Sequence, residues 1–194
     1  MKKPGRILYR GAAFRKDVQN MSYISLYDSP LGLLTLAGDG EALSGLWFSG
    51  QKYFGSTLGK APVQNKALPV FDRTKLWLDI YFSGKAPDFT PPLSLNTTPF
   101  RKAVWEILLT IPFGQTMTYG EIAEKMAEQM GLRHMSAQAV GGAVGHNPVS
   151  LIIPCHRVIG SDGSLTGYAG GIDRKRRLLE MEKGNVSGFY IHDI

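Results

Sequence analysis

The stretch Thr118-Tyr119-Gly120-Glu121-Ile122-Ala123-Glu124-Lys125-Met126, followed by Gly131 and then Ser136-Ala137-Gln138-Ala139-Val140-Gly141-Gly142-Ala143-Val144, decides the fold class. Thr118 and Glu121 have the S/T-x-x-E spacing of a capping box, in which the hydroxyl accepts from the third residue's amide and the carboxylate reaches back to the cap. The helix this opens turns Ile122, Ala123, Met126 and Met130 inward and closes near Gly131. After a short turn, Ser136 can cap a second helix over residues 137–144. Two short helices joined by a turn of this length resemble a helix-turn-helix. The second helix is small on nearly every face. Its adjacent glycines each cost roughly 1 kcal/mol against alanine. Tight helix packing accounts for that composition, and so does close approach of the backbone to a bulky partner.

Upstream, Thr98-Pro99 supplies a hydroxyl cap and a proline at the first helical position, with Phe100, Val104, Ile107 and Leu108 as the buried stripe and Pro112-Phe113-Gly114 as the stop. The prolines at 87, 91 and 92 place a domain boundary near residues 85–95. Before it, Tyr23–Tyr27, Leu33–Ala37 and Leu43–Phe48 are apolar runs split by Asp28-Ser29-Pro30-Leu31-Gly32 and Gly38-Asp39-Gly40, the pattern of an antiparallel meander. Val70, Phe71, Leu76, Trp77, Ile80 and Tyr81 suit a helix laid on that sheet. The expectation is an α/β chain with a basic extension over 1–20, an N-terminal sheet-and-helix domain over 21–90 and a helical domain over 95–185.

Downstream, Val149-Ser150-Leu151-Ile152-Ile153 has the composition of a buried strand that ends at Pro154, immediately before Cys155-His156-Arg157. A lone cysteine is usually a small core residue. An imidazole next in sequence can, directly or through water, leave its sulfur as the reactive thiolate. Gly167-Tyr168-Ala169-Gly170-Gly171 is a glycine-rich loop around one aromatic, read either as a ligand-approaching backbone or as a plain connection. A closing helix with Leu178, Leu179 and Glu182 runs up to Gly184.

Bulk properties exclude several classes. With 43% hydrophobic and 20% charged residues a core can form, and no run approaches the ~20 apolar residues of a membrane span. The basic N-terminus has no apolar core of a secretory signal. One cysteine forms no internal disulfide, and with four scattered histidines it makes no metal-ligand cluster, which points to a reducing, cytoplasmic setting. Residues 1–20 hold six of the 22 basic side chains and one of the 16 acidic ones, so they carry +5 of the net +6. The remaining 174 residues carry only +1, and any nucleic-acid contact they make has a modest salt dependence.

Ile153-Pro154-Cys155-His156-Arg157-Val158, with Gly145-His146-Asn147-Pro148 upstream and Thr166-Gly167-Tyr168-Ala169-Gly170-Gly171 downstream, resembles the active-site signature of the O6-alkylguanine-DNA alkyltransferases. The resemblance covers residues 95–185 strongly and residues 22–90 through domain order. It implies a ribonuclease-H-like N-terminal domain and a winged-helix-like C-terminal domain. It also implies DNA repair by suicide transfer of an alkyl group from O6-alkylguanine, with O4-alkylthymine as a further substrate, onto Cys155. His156 would deprotonate Cys155 through a water, Glu182 would orient His156, and Tyr119 would stabilise the departing guanine. Asn147 would be the hinge that ties the recognition helix to the active-site strand. Tyr168 would wall the pocket and the Ala169 amide would face O6. Ala137, Gln138, Gly141, Arg157 and Val158 complete the expected substrate- and DNA-binding set. The partner implied is double-stranded DNA, entered from the minor groove with the base flipped out and bound by a monomer, with no cofactor or metal.

The chain departs from the family at two positions. Gln138 stands where many members have an arginine that fills the gap left by the base, and Ala169 where serine is common. Two rivals remain: a damage-binding module like the alkyltransferase-like proteins, which replace the cysteine, and a Cys-His hydrolase, of which no separate signature is present.

Overall fold

The computed structural model describes residues 22–59, 61–64 and 67–183 of the 194-residue chain, so the basic stretch 1–20 and Gly184 lie outside the described residues. These residues form two units. The first comprises the described residues up to Ser49 together with Phe54–Asn96, and the second comprises Gly50–Tyr53 with the residues from Thr97 onward.

In the first unit β1 (Tyr23–Ser29), β2 (Gly32–Gly38) and β3 (Leu43–Phe48) are the antiparallel meander read from the sequence, with Tyr23 opposite Gly38 and Ser29 opposite Gly32. A two-residue β4 (Val63–Gln64) pairs parallel to β1, giving the order β3-β2-β1-β4. Leu34, Leu36, Leu46, Trp47 and Phe48 are fully buried, so consecutive residues of β2 and β3, which point to opposite faces, are covered on both sides.

Helix α1 (Pro69–Phe82) buries Val70, Phe71, Thr74, Trp77, Leu78 and Tyr81. The expected inward set is therefore corrected: Leu76 is 54% exposed and Ile80 only half-buried. The 3.6-residue stripe runs through Thr74 instead, which can be buried because its hydroxyl donates to the Val70 carbonyl at 2.7 Å. Tyr27 of β1 donates to Asp79 of α1 at 2.8 Å and fastens helix to sheet.

The second unit contains α2 (Pro99–Leu108), β5 (Met117–Thr118), α3 (Tyr119–Met130), α4 (Ala137–Gly145), a 3-10 turn (Cys155–Arg157), β6 (Val158–Ile159) and α5 (Ile172–Lys183). Local chemistry sets each helix start. Thr98 accepts from the Arg101 amide at 3.3 Å, Ser136 from the Ala139 amide at 3.4 Å, and Thr118 with Glu121 forms the full capping box. Gly131 ends α3 at φ 64°, a conformation that favours glycine. Thr118→Ala should cost about 1 kcal/mol of unfolding free energy in a urea titration. No measurable loss would mean that α3 is held by packing alone.

Helices α2, α3 and α4 share a core of Val104, Leu108, Ile122, Met126, Val140 and Val144. Trp105 donates through Nε1 to the Ala143 carbonyl at 2.9 Å and locks α2 to α4. Met130, expected inward, is 52% exposed; the last turn of α3 runs past its cover, and every residue from Glu128 to Leu132 is exposed. Strands β5 and β6 pair in parallel, which puts the start of α3 beside the residues that follow Cys155.

Candidate active site

The expected strand over Val149–Ile153 is a tight turn. The Ile152 amide donates to Ser150 and the Ile153 amide to Val149, with Leu151 at φ 70°. A β-branched run gives no hint of this, because side chains outside the turn hold it, Asn147 foremost. The Asn147 Oδ1 accepts from the Val149 amide at 2.9 Å, while Nδ2 donates to the Ile153 carbonyl at 2.8 Å and to Cys155 Sγ at 3.0 Å. Asn147 follows directly from the end of α4, so a single buried amide connects that helix to the sulfur. Cys155 opens the 3-10 turn and is 3% exposed.

Four donors converge on Glu182 of α5. Its Oε1 is 2.7 Å from His156 Nε2 and accepts from Arg157 Nη2 at 3.0 Å; Oε2 accepts from Arg157 Nε at 2.8 Å and from the Gly114 amide at 3.0 Å. Gly114 sits at φ 74°, and a Cβ there would meet the Glu182 backbone oxygen at 3.2 Å, so the position suits only glycine. Burial pushes the Glu182 carboxyl upward, but the hydrogen bonds from His156 and Arg157 and the Arg157 charge prevail and hold it well below the usual carboxylate range. Burial lowers the His156 pKa against the opposing pull of Glu182, so the imidazole is held neutral. With an ionised carboxylate as acceptor, Nε2 carries the proton and Nδ1 the lone pair.

Burial raises the Cys155 thiol, and the Asn147 hydrogen bond and the charge of Lys175 act in the opposite direction. Lys175 is fully buried in α5 and donates to the Thr166 carbonyl at 2.7 Å. Burial brings its pKa down to about 8. Tyr119, at the first position of α3, donates to the same carbonyl at 3.2 Å and is pushed up to about 12, by burial and by Cys155. It therefore remains a phenol at neutral pH.

The remaining residues singled out from the sequence fall in three places. Ala137 and Gln138 are exposed at the start of α4, and Gly141 is half-buried on the same helix. Tyr168 is buried edge-on to the His156 ring at 6.4 Å, and Ala169 is half-buried beside it. Val158 is fully buried in β6. Arg157, expected among the DNA-binding residues, is corrected: its guanidinium is occupied by Glu182 and, through Nη1, by the Ile111 carbonyl at 2.7 Å. It acts as the buried counter-charge of Glu182.

Sequence reasoning missed Lys175, Gly114 and the segment Gly50–Tyr53. Lys175 lies in the run Arg174-Lys175-Arg176-Arg177, which has the pattern of a solvated face. Its one distinguishing sign is its helical spacing, three and four residues before Leu178 and Leu179. Among the described residues no group of three or more His, Cys, Asp or Glu could hold a metal ion, and no helix is long and apolar enough to cross a membrane.

Two family models match the chain. One is the ribonuclease-like domain of 6-O-methylguanine DNA methyltransferase over residues 22–95, and the other is the DNA binding domain of the same family over residues 99–184. The chain is 45% identical over 166 residues to the methylated-DNA–protein-cysteine methyltransferase of Mycobacterium bovis, spanning 86% of this chain and 95% of that protein. The protein of the same name in Haemophilus influenzae is 41% identical over 164 residues, spanning 83% and 86%. Among solved structures, Mycobacterium tuberculosis OGT in complex with DNA is similar at a TM-score of 0.73 and 44% identity, covering 84% of this chain and 93% of that one. An O6-methylguanine DNA methyltransferase from Methanococcus jannaschii is similar at a TM-score of 0.58 and 28% identity, covering 88% and 99%.

Proposed function

This chain belongs to the 6-O-methylguanine DNA methyltransferase family, and from that premise and the geometry around Cys155 we propose that it repairs double-stranded DNA by moving the alkyl group of O6-alkylguanine onto its own cysteine. The observation that carries the reading is the Asn147–Cys155 and His156–Glu182 arrangement around the chain's single cysteine. His156, neutral with its lone pair on Nδ1, takes the thiol proton through a water. Glu182 stabilises the imidazolium that forms, and Lys175 and Asn147 stabilise the thiolate.

The sulfur attacks the alkyl carbon in line. As the S–C bond forms the C–O bond breaks, and its electron pair leaves with guanine. The Tyr119 hydroxyl donates to N3 of that anion, which finally keeps the proton that Cys155 lost. The Ala169 amide faces O6, and Tyr168 walls the base. The thioether does not revert, so each chain reacts once and needs no cofactor.

The target oxygen is stacked inside the duplex, and turning the base out costs a few kcal/mol. The exposed start of α4, with Ala137 and Gln138, enters the minor groove with the half-buried Gly141 behind it, and Gln138 fills the gap left by the base. The protein acts as a monomer, in a reducing cytoplasmic setting where its one cysteine stays a thiol.

The test is intact-protein mass spectrometry after incubation with a short duplex containing O6-methylguanine. A gain of one methyl group per chain, mapped to Cys155 and absent in Cys155→Ala, is expected. Tight lesion binding without a mass gain would favour a damage-sensing module and overturn the reading.

A further inference from the structure

Gly50–Tyr53 belongs by its packing to the second unit, although it lies in sequence between β3 and the rest of the first. Three contacts fix it there. The Lys52 amide donates to the Ala169 carbonyl at 3.0 Å. The Ser150 hydroxyl donates to Gln51 Oε1 at 3.0 Å, with both residues buried. The Tyr53 ring stacks on His146, at the end of α4, with centroids 4.2 Å apart and planes 21° from parallel.

Among the described residues, Tyr53 at φ 62° and Leu151 at φ 70° are the only non-glycine residues with positive φ. They lie in the two segments that Ser150 and Gln51 join. An aromatic side chain is disfavoured in that conformation, and such strain persists where surrounding contacts hold it in place.

Lys52 and Tyr53 line a cavity of about 270 Å³ together with Gly141, Gly142, Tyr168 and Ala169. That volume is near the lower end of the roughly 300–1,000 Å³ typical of small-molecule sites. One wall is the glycine face of α4, a second is the loop that presents Ala169, and the third is this segment. The Lys52 ammonium lies 5.1 Å from the Tyr53 ring centroid, on the same rim.

We propose that Gly50–Tyr53 is a strap that determines which alkyl groups the site accepts: Tyr53 limits the cavity from one side, and the Lys52 amide holds the Ala169 loop at the edge of that cavity. This inference rests on the alkyl-transfer reading above. Tyr53 is a specificity-determining and positioning residue, acting on the pocket wall and not on the reacting atoms.

The experiment compares single-turnover transfer from duplexes carrying O6-methylguanine or O6-benzylguanine, read by mass spectrometry, for wild type, Tyr53→Gly and Tyr53→Phe. Glycine accepts the left-handed backbone without strain, so the fold is expected to persist, while the wall is lost. The benzyl-to-methyl rate ratio should rise roughly tenfold in Tyr53→Gly, the scale on which a pocket discriminates one apolar increment. Tyr53→Phe keeps the ring on His146 and should keep the wild-type ratio. Equal falls in both rates, or an unchanged ratio, would reduce the strap to scaffolding and overturn the proposal while leaving alkyl transfer intact. Wild type inert toward both duplexes would overturn the transfer reading, and the strap with it.

Discussion

A Glu182→Gln chain should lose about 3–5 kcal/mol of stability, the cost of leaving a buried charge without its partner, and should transfer alkyl groups roughly 10²- to 10⁴-fold more slowly per folded molecule. Both effects follow from the donors around the carboxylate. Each oxygen accepts from two groups, His156 and Arg157 on one side, Gly114 and Arg157 on the other. A glutamine amide offers one accepting oxygen, so its NH2 must face two donors whichever way it is placed. The one neighbour that can adapt is His156, by moving its proton from Nε2 to Nδ1. That rearrangement relieves the clash and removes the base, because the lone pair then points at the amide and away from the thiol.

The pH dependence has a definite sign. The folded-state pKa of Glu182 is depressed, so its contribution to stability is fully present above the ordinary carboxylate value near ~4.3 and is lost as pH falls through the depressed one. The variant should therefore lose stability relative to wild type at neutral pH, with the two converging in strong acid. Urea titrations at several pH values and rates corrected for the folded fraction test this together. Transfer within a few-fold of wild type would remove Glu182 from the proton path.

Much of this site is encoded locally, and that part was legible. Thr118 with Glu121, Ser136 and Thr98 set helix starts through contacts three residues apart, which a linear reading can see. The meander followed from glycine, proline and aspartate between apolar runs. Cys155 and His156 stood out as neighbours. Glu182 entered only through the resemblance, since nothing in composition joins residues 26 apart.

What escaped the reading depends on contacts between distant segments. Val149–Ile153 has the composition of a strand, and the Asn147 amide, together with the turn's own backbone hydrogen bonds, turns it back on itself. Gly50–Tyr53 looks like a connection until its docking on Ser150, His146 and Ala169 is seen. Arg157 stands in the DNA-binding set that the resemblance implies, and arginines usually are exposed. Here the guanidinium is buried because both Glu182 oxygens accept from it. Lys175 is the same case without a carboxylate, and it allows the sharpest separation of function from stability.

Lys175→Met should move the pH profile of alkyl transfer to the alkaline side and slow the reaction at neutral pH, while leaving the fold as stable as wild type or more so. The lysine is fully buried and, among the described residues, its ammonium donates only to the Thr166 carbonyl, which keeps the Tyr119 hydroxyl as a donor when the ammonium is gone. Burial lowers its pKa from 10.5 to about 8, against the pull of Cys155. The folded state thus binds fewer protons than the unfolded state between those values, so stability rises with pH from about 8 to 10.5. Below about 8 the lysine is charged in both states and its desolvation penalty is present in full. Methionine fills the same space without that penalty. The thiol, by contrast, loses a positive charge that opposes the effect of its own burial, so its pKa rises further. A purely structural lysine would give the opposite result: lower stability, and a rate loss that raising the pH does not recover. Recovery of the wild-type rate at higher pH, with thermal unfolding unchanged or raised, would place Lys175 in the electrostatics of the reaction; a pH-independent loss would exclude it.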